Sequence, residues 1–218
     1  MAEGQATSGD TDVFEIIHTT RAMRRLKPDP VPDELIFKIL AAGQKAASGG
    51  NTQRWRFLVL RDPAKKKAVQ VYYKKAFDEV VGPRYDTSPT PPGQSAESHR
   101  RTRAANQYLT DHYHDAPVWI VACLEGANPG RSAGSSIYPA VQNMLLAARA
   151  LGLGATLTTR HLTYEKETEA AMGIPPGFHS YAILPIGWPM GRFGPVARGP
   201  LSEIVYLDEW GKPYPGLK

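Results

Sequence analysis

Seven consecutive apolar residues, Val118 to Leu124, lie between Pro117 and the charge of Glu125. The run is far short of the roughly 20 residues that cross a membrane as a helix. It is also too continuous for a strand with one wet face, which would alternate apolar and polar positions. Such a segment reads as a strand buried on both sides, so the rest of the chain has to cover a sheet above and below. With 218 residues, 42% hydrophobic and 22% charged, the chain can build one such core. A single domain over residues 12–218 is expected. The small polar stretch 1–11 lacks the basic-then-apolar layout of a secretory signal and is expected to be disordered. The lone Cys123 excludes an internal disulfide and any cysteine cluster for zinc or iron–sulfur binding. The expectation is a cytoplasmic protein with no membrane partner.

The remaining elements follow from periodicity and punctuation. Asp12 can cap a helix whose apolar positions are Val13, Ile16 and Ile17. A second helix is predicted from Pro32, with Asp33 and Glu34 in its first turn and an apolar stripe of Ile36, Ile39 and Leu40. Trp55 to Leu60 reads as a strand, Lys65 to Val80 as a helix and Arg100 to His112 as another. Between them, Gly82 to Ser98 holds four prolines and two glycines and shows no apolar face, so a mobile lid or disordered loop is expected. The strongest helix runs from Ser136 to Leu151, with Pro139 placed in its first turn and Gly152 as its stop. Strands are predicted at Ala155–Thr159, Ser180–Ile186 and Glu203–Leu207, with a short helix at Tyr164–Met172. The Gly- and Pro-rich tail from Trp188 has little to bury against in its own chain and is expected to wrap a partner subunit. The irregular alternation of helices and strands indicates a layered α+β domain.

Lys and Arg total 26 against 21 Asp and Glu, a net charge of +5. Clusters such as Lys65–Lys67, Lys74–Lys75 and Arg100–Arg103 read as solvated helix faces. No zinc-finger, RNA-recognition or helix-turn-helix pattern accompanies them, so no nucleic-acid partner is expected. The surplus could instead serve a small phosphorylated ligand. Gly152-Leu153-Gly154 has Leu157 where a dinucleotide fingerprint needs its third glycine, and neither a Walker loop nor a nucleophile elbow is present. The run Asp111 to Asp115, with His112 and His114, has no distant ligand partners, and no metal site is expected. Cys123 in its apolar strand reads as inert core.

A distributed pattern remains. Arg21-Ala22-Met23-Arg24 precedes Lys27-Pro28-Asp29-Pro30-Val31-Pro32, and Ser48-Gly49-Gly50-Asn51-Thr52-Gln53-Arg54-Trp55 stands just before a strand. Gln142-Asn143, the stretch Gly152 to Thr159, and Gly194-Pro195-Val196-Ala197-Arg198-Gly199-Pro200-Leu201 follow. In this order the blocks resemble the FMN-dependent nitroreductase family along nearly the whole chain. The resemblance implies a three-layer αβα fold with a mostly antiparallel central sheet, a C-terminal tail exchanged across a homodimer, and FMN held at the interface. Arg21 and Arg198 are then the phosphate donors, a role that suits the fork-shaped guanidinium. Arg24, within the block that also holds Ala22 and Met23, matches the cation beside the N1–O2 edge, where reduction places negative charge. Ser48, Gly49 and Asn51 match the loop that the partner lends to the flavin, and Leu157, Thr158 and Thr159 the segment along the ring edge. Tyr113 and Tyr138 are candidates to line a flat substrate slot.

The chain also departs from that pattern. Thr20 and Ala22 stand where the family often has arginine and serine, and Ala47 and Arg54 replace common prolines. The expected reaction passes hydride from NAD(P)H through FMN to a small electron-poor aromatic acceptor, a nitroaromatic or a quinone. The alternatives are another flavin reaction on the same scaffold, reductive dehalogenation or flavin breakdown, and a non-catalytic flavin-binding protein.

Overall fold

The computed structural model describes residues 12–126 and 131–217. The expectation for residues 1–11 lies outside the described residues. Strand β2 (Val118–Glu125) is buried from end to end except for Glu125. It pairs antiparallel with β1 (Trp55–Leu60) on one side and β4 (Phe178–Gly187) on the other, and β4 pairs antiparallel with the two-residue β3 (Gly154–Ala155). The sheet order is therefore β1-β2-β4-β3.

Because side chains alternate along β2, its two faces feed two cores. Val118, Ile120 and Ala122 pack with Ile36 and Ile39 of α2 (Asp33–Gln44) and with Ile137, Val141 and Met144 of α6 (Arg131–Ala150). Trp119, Val121 and Cys123 pack with Val69 and Tyr73 of α3 (Pro63–Ala76), Leu109 of α5 (Ala96–Asp111) and Met172 of α7 (Glu165–Met172). This is the three-layer αβα arrangement of the α+β class. Helices α2 and α6 cross closely because Gly43 has no side chain: a Cβ there would stand 2.8 Å from Met144 Cγ. The Asn143 amide ties the pair by donating to the Ala42 carbonyl at 3.2 Å.

Asp12 caps the first helix as expected, and Asp62 caps a helix that starts two residues before the expected Lys65. Asp12 accepts from the Phe14 N–H at the start of α1 (Val13–Thr19), and Asp62 accepts from Ala64 and Lys65 at the start of α3. Helix α1 stops at Thr19, earlier than the arginine block suggested, and residues 21–27 run extended beside β3 and β4. Met23 N–H donates to the Ala155 carbonyl and Lys27 N–H to the Trp188 carbonyl, so this segment is stitched to the sheet margin.

Four expectations need correction. The Gly82–Ser98 segment contains helix α4 (Gly82–Thr87) and the first residues of α5, which leaves only 88–95 irregular. Pro83 sits in the first turn of α4, where its fixed φ suits a helix start, so the residues taken as breakers open an element instead. Pro139 lies inside α6, because the small polar residues from Arg131 extend the helix upstream with no apolar stripe to announce it. The strand at Ala155–Thr159 reduces to β3 and a lone bridge from Thr158 to Ile183. At Glu203–Leu207 there is a 3-10 turn over Leu201–Glu203 and a bridge between Tyr206 and Pro213. Ile204 remains 69% exposed, so that stretch has no sheet to join in this chain. Among the described residues, no helix is long and apolar enough to cross a membrane.

Candidate functional site

The extended block after α1, the end of β3, one edge of α6, the 94–102 segment and the tail enclose a cleft of about 670 Å³. That volume falls in the roughly 300–1,000 Å³ range of small-molecule sites. Arg21, Ala22 and Arg24 enter it from the first block, Leu157 from beyond β3, and Arg198 from the tail. Two further guanidinium groups join them, Arg101 from α5 and Arg149 from α6. The described lining includes these five arginines and no Asp or Glu. Such a concavity of one sign focuses the field on an incoming anion.

The arginines differ in surroundings. Burial lowers the Arg24 guanidinium below its ordinary value, and nearby Arg160 and Arg21 push the same way against the opposing influence of Tyr85 and Tyr73. A guanidinium nevertheless stays protonated in proteins, so Arg24 is a fixed, poorly hydrated cation. Arg149 lies 4.3 Å from the Phe193 ring centroid, donates from Nε to Thr19 Oγ1 at 3.1 Å, and has Glu15 at 3.8 Å. Arg198 donates to its neighbour's carbonyl at Ala197, 2.8 Å away. Its backbone is braced by Gly93, where φ is +73° and a Cβ would stand 2.6 Å from the Arg198 carbonyl carbon. Only a glycine lets the 88–95 loop and the tail approach that closely.

Other sequence candidates lie elsewhere. Met23 is buried beneath its block, with its backbone bonded to Ala155. Thr158 turns inward: its hydroxyl donates to the Ile183 carbonyl at 2.8 Å and stands 2.7 Å from the Tyr113 hydroxyl, which must therefore be the donor of that pair. Tyr113 is fully buried and stacked on Tyr73 at 3.8 Å, and burial raises its phenol well above the ordinary value. It is core, so its assignment to a substrate slot is corrected. Tyr138 is outside the cleft as well, its hydroxyl donating to the Tyr181 carbonyl at 3.3 Å. Thr159 precedes the 3-10 turn Arg160–Tyr164 and does not line the cleft.

Ser48, Gly49 and Asn51 form an exposed turn held by Ser136 Oγ, which accepts from Gly49 N–H at 3.1 Å. Ser136 stands thirteen residues before Arg149 on α6, about 20 Å along the helix axis. Within one chain the turn is remote from the arginine end of the cleft.

Sequence reasoning missed Arg101, Arg149 and Gln94, and named Gln142 in the distributed pattern without giving it a place in the site. A signal existed for two of the three. Gln142, Leu145 and Arg149 recur at helical spacing along one edge of α6, and Arg101 sits in a basic cluster read as solvated surface. Cys123 behaves as expected for core: burial pushes its thiol up to about 12.

Comparison with known proteins adds the family. A model of the nitroreductase family matches residues 17–188. A Thermus thermophilus protein named NADH dehydrogenase is 28% identical over 208 residues, covering 85% of this chain and 90% of that protein. A Rhodospirillum rubrum protein named 5,6-dimethylbenzimidazole synthase is 26% identical, covering 91% and 89%. Among solved structures, a nitroreductase from Desulfovibrio desulfuricans in complex with FMN superposes with a TM-score of 0.68 and 26% identity, covering 94% of this chain and 99% of that one.

Proposed function

The chain belongs to the nitroreductase family, and we propose that it is a homodimeric FMN-dependent oxidoreductase that takes hydride from NAD(P)H and reduces a small electron-poor aromatic acceptor. The observation that carries this reading is the meeting of Arg21, Arg24 and Arg198, from opposite ends of the chain, in one cleft without a carboxylate in its described lining. The residues suit the cofactor. A phosphate dianion matches exposed Arg21 and Arg198, and Leu157, 39% exposed at the cleft wall, offers apolar surface for a flat ring. Bound FMN supplies hydride acceptance and donation between the nicotinamide and the acceptor.

The chain's own part is binding, charge placement and exclusion of water. Arg21 and Arg198 hold the phosphate end. Arg24, poorly hydrated behind them, is a cation whose field acts more strongly than it would in water. Thr156 and Leu157 on one element and Gln94, Ser98 and Thr102 on another line the cleft and would limit solvent around a bound ring. Ser48, Gly49 and Asn51, which do not line the cleft of their own chain, would complete the partner's site in the dimer. No side chain of the cleft is placed as a general acid.

Titration of the purified protein with FMN, followed by anaerobic addition of NADH or NADPH and then a nitroaromatic, tests the reading. Stoichiometric yellow protein, bleached by the nicotinamide and recoloured by the acceptor, is the expected result. Loss of one phosphate donor in Arg21→Ala or Arg198→Ala should weaken FMN binding by about tenfold or more, as removal of a charge-assisted hydrogen bond does. Protein that leaves the flavin spectrum unperturbed would refute the proposal. A second reading, another flavin reaction on the same scaffold, draws on the similarly long match to the synthase. Steady-state turnover with a nitroaromatic separates the two.

A further inference from the structure

The five arginines of the cleft are more than a flavin and its reduced ring require. Building on the FMN reading, Arg21 and Arg198 balance the phosphate dianion and Arg24 faces the charge that reduction adds. Arg149 has Glu15 at 3.8 Å and a covering ring in Phe193. Arg101 is left over. Its carboxylate neighbour is Glu97, one turn away on α5 at 2.8 Å, and both side chains are about two-thirds exposed. A surface pair of that kind is worth only a few tenths of a kcal/mol, so it exchanges readily for a better anion.

The surroundings of Arg101 match such an anion. Ser98, Arg101 and Thr102 line the cleft from positions three and four apart on α5, which places them on one helical face. Gln94, on the loop that leads into the helix, also lines the cleft, and its Oε1 is buried with no hydrogen-bond partner among the described residues. An amide can turn its NH₂ inward instead, so this wall can present an amide, two hydroxyls and a guanidinium to one group. A neutral ligand would leave Arg101 on Glu97 and make no use of its charge, whereas an anion can take the guanidinium over from that exposed pair.

We propose that the ligand that faces the flavin here carries an oxyanion, a phosphate or a carboxylate, recognised by Arg101 together with Gln94, Ser98 and Thr102. The oxyanion can come from the reductant or from the acceptor. Binding to the FMN-loaded, oxidised full-length protein, read from the spectrum of the bound flavin at low salt, distinguishes these sources. One pair of probes is 4-nitrobenzoate against 4-nitrobenzamide, and the other is 2′,5′-ADP against 5′-AMP. In at least one pair the more anionic member should bind about tenfold tighter, and Arg101→Gln should bring that ratio close to one while FMN stoichiometry stays unchanged. A preference within the nitro pair places the oxyanion on the acceptor, and one within the adenosine pair places it on the reductant. Equal binding in both pairs, or a preference that survives Arg101→Gln, overturns the inference. Loss of FMN from the variant alone overturns it too, because Arg101 would then belong to the cofactor phosphate. Failure of both proteins to take up FMN would instead sink the flavin reading, and this inference with it.

Discussion

Two buried bases show how much a side chain's surroundings decide. His161 is fully buried, and burial alone drives its imidazole down to about 4. Ser180 Oγ donates to Glu169 Oε1 at 2.8 Å, so the His161 Nε2–H, 3.1 Å away, must donate to Ser180. Its Nδ1 is buried without a partner among the described residues, and a proton there would find no acceptor. The unfolded chain therefore binds a proton between about pH 6.5 and 4 that the native state refuses, and stability falls across that window as the pH drops. The contribution is on the order of 3 kcal/mol. His161→Gln should flatten the decline of the urea midpoint between pH 7 and pH 4.5, and an unchanged slope would exclude the role. Arg24 is the contrasting case, a desolvated group that keeps its charge. Arg24→Ala should lower the flavin midpoint potential by roughly 30 mV or more, about 1.4 kcal/mol for a two-electron couple, and weaken FMN retention. Spectroelectrochemistry on the FMN-loaded variant checks this, and an unchanged potential would contradict it. The arginine types were legible in the chain. Arg21, Arg24 and Arg198 were expected at one site from the resemblance, but Arg101 and Arg149 were not, since they look like any other cations of a helix surface.

Elements built on long apolar patterns were the readable ones. Strand β2 and helix α6 announce themselves because the sequence displays their burial directly, as an unbroken apolar run in β2 and as a helical period in α6. The strand β1 and the short helix α7 were read as well, but α4 and β3 were not, because their partners lie far away in the chain. Helix α4 is tied to α5 by the Asn106 amide, which donates to the Tyr85 hydroxyl at 2.7 Å, and β3 exists because β4 is there to receive it. The 88–95 loop and the tail form another such pair through Gly93 and Arg198. Gly93→Ala meets both a positive φ and the Arg198 carbonyl, a combination that costs about 1–3 kcal/mol where the contact persists. The contact should part instead of the fold. Expected are an unchanged thermal midpoint within about 3 °C, faster proteolysis near residues 88–95, and weaker FMN binding. A variant with wild-type proteolysis and FMN affinity would show that this contact does not organise the cleft.

At the scale of the molecule, one chain does not bring all the residues that resemble flavin ligands into its own cleft. The Ser48–Asn51 turn stands about 20 Å of helix away from the arginine end of its own cleft. Phe14, Phe37 and Trp210 are more than half exposed, and Trp210 reaches 89%. Co-expression of two differently tagged chains, one Arg21→Ala and the other Asn51→Ala, tests the shared site. The mixed dimer should regain one intact site and bind about half the FMN of wild type, while each parent homodimer binds far less. Equal losses in the mixed and parent dimers would argue for a site built within one chain. The layered α+β class, the caps and the arginine block were all legible locally, because each depends on neighbours within about two turns or on a period. The route of the tail, the inward turn of Tyr113 and Thr158 and the arrival of Arg101 and Arg149 beside the other three guanidinium groups were not, because each depends on contacts between residues many positions apart. No spacing rule encodes such contacts, and folding alone brings those residues within reach of one another.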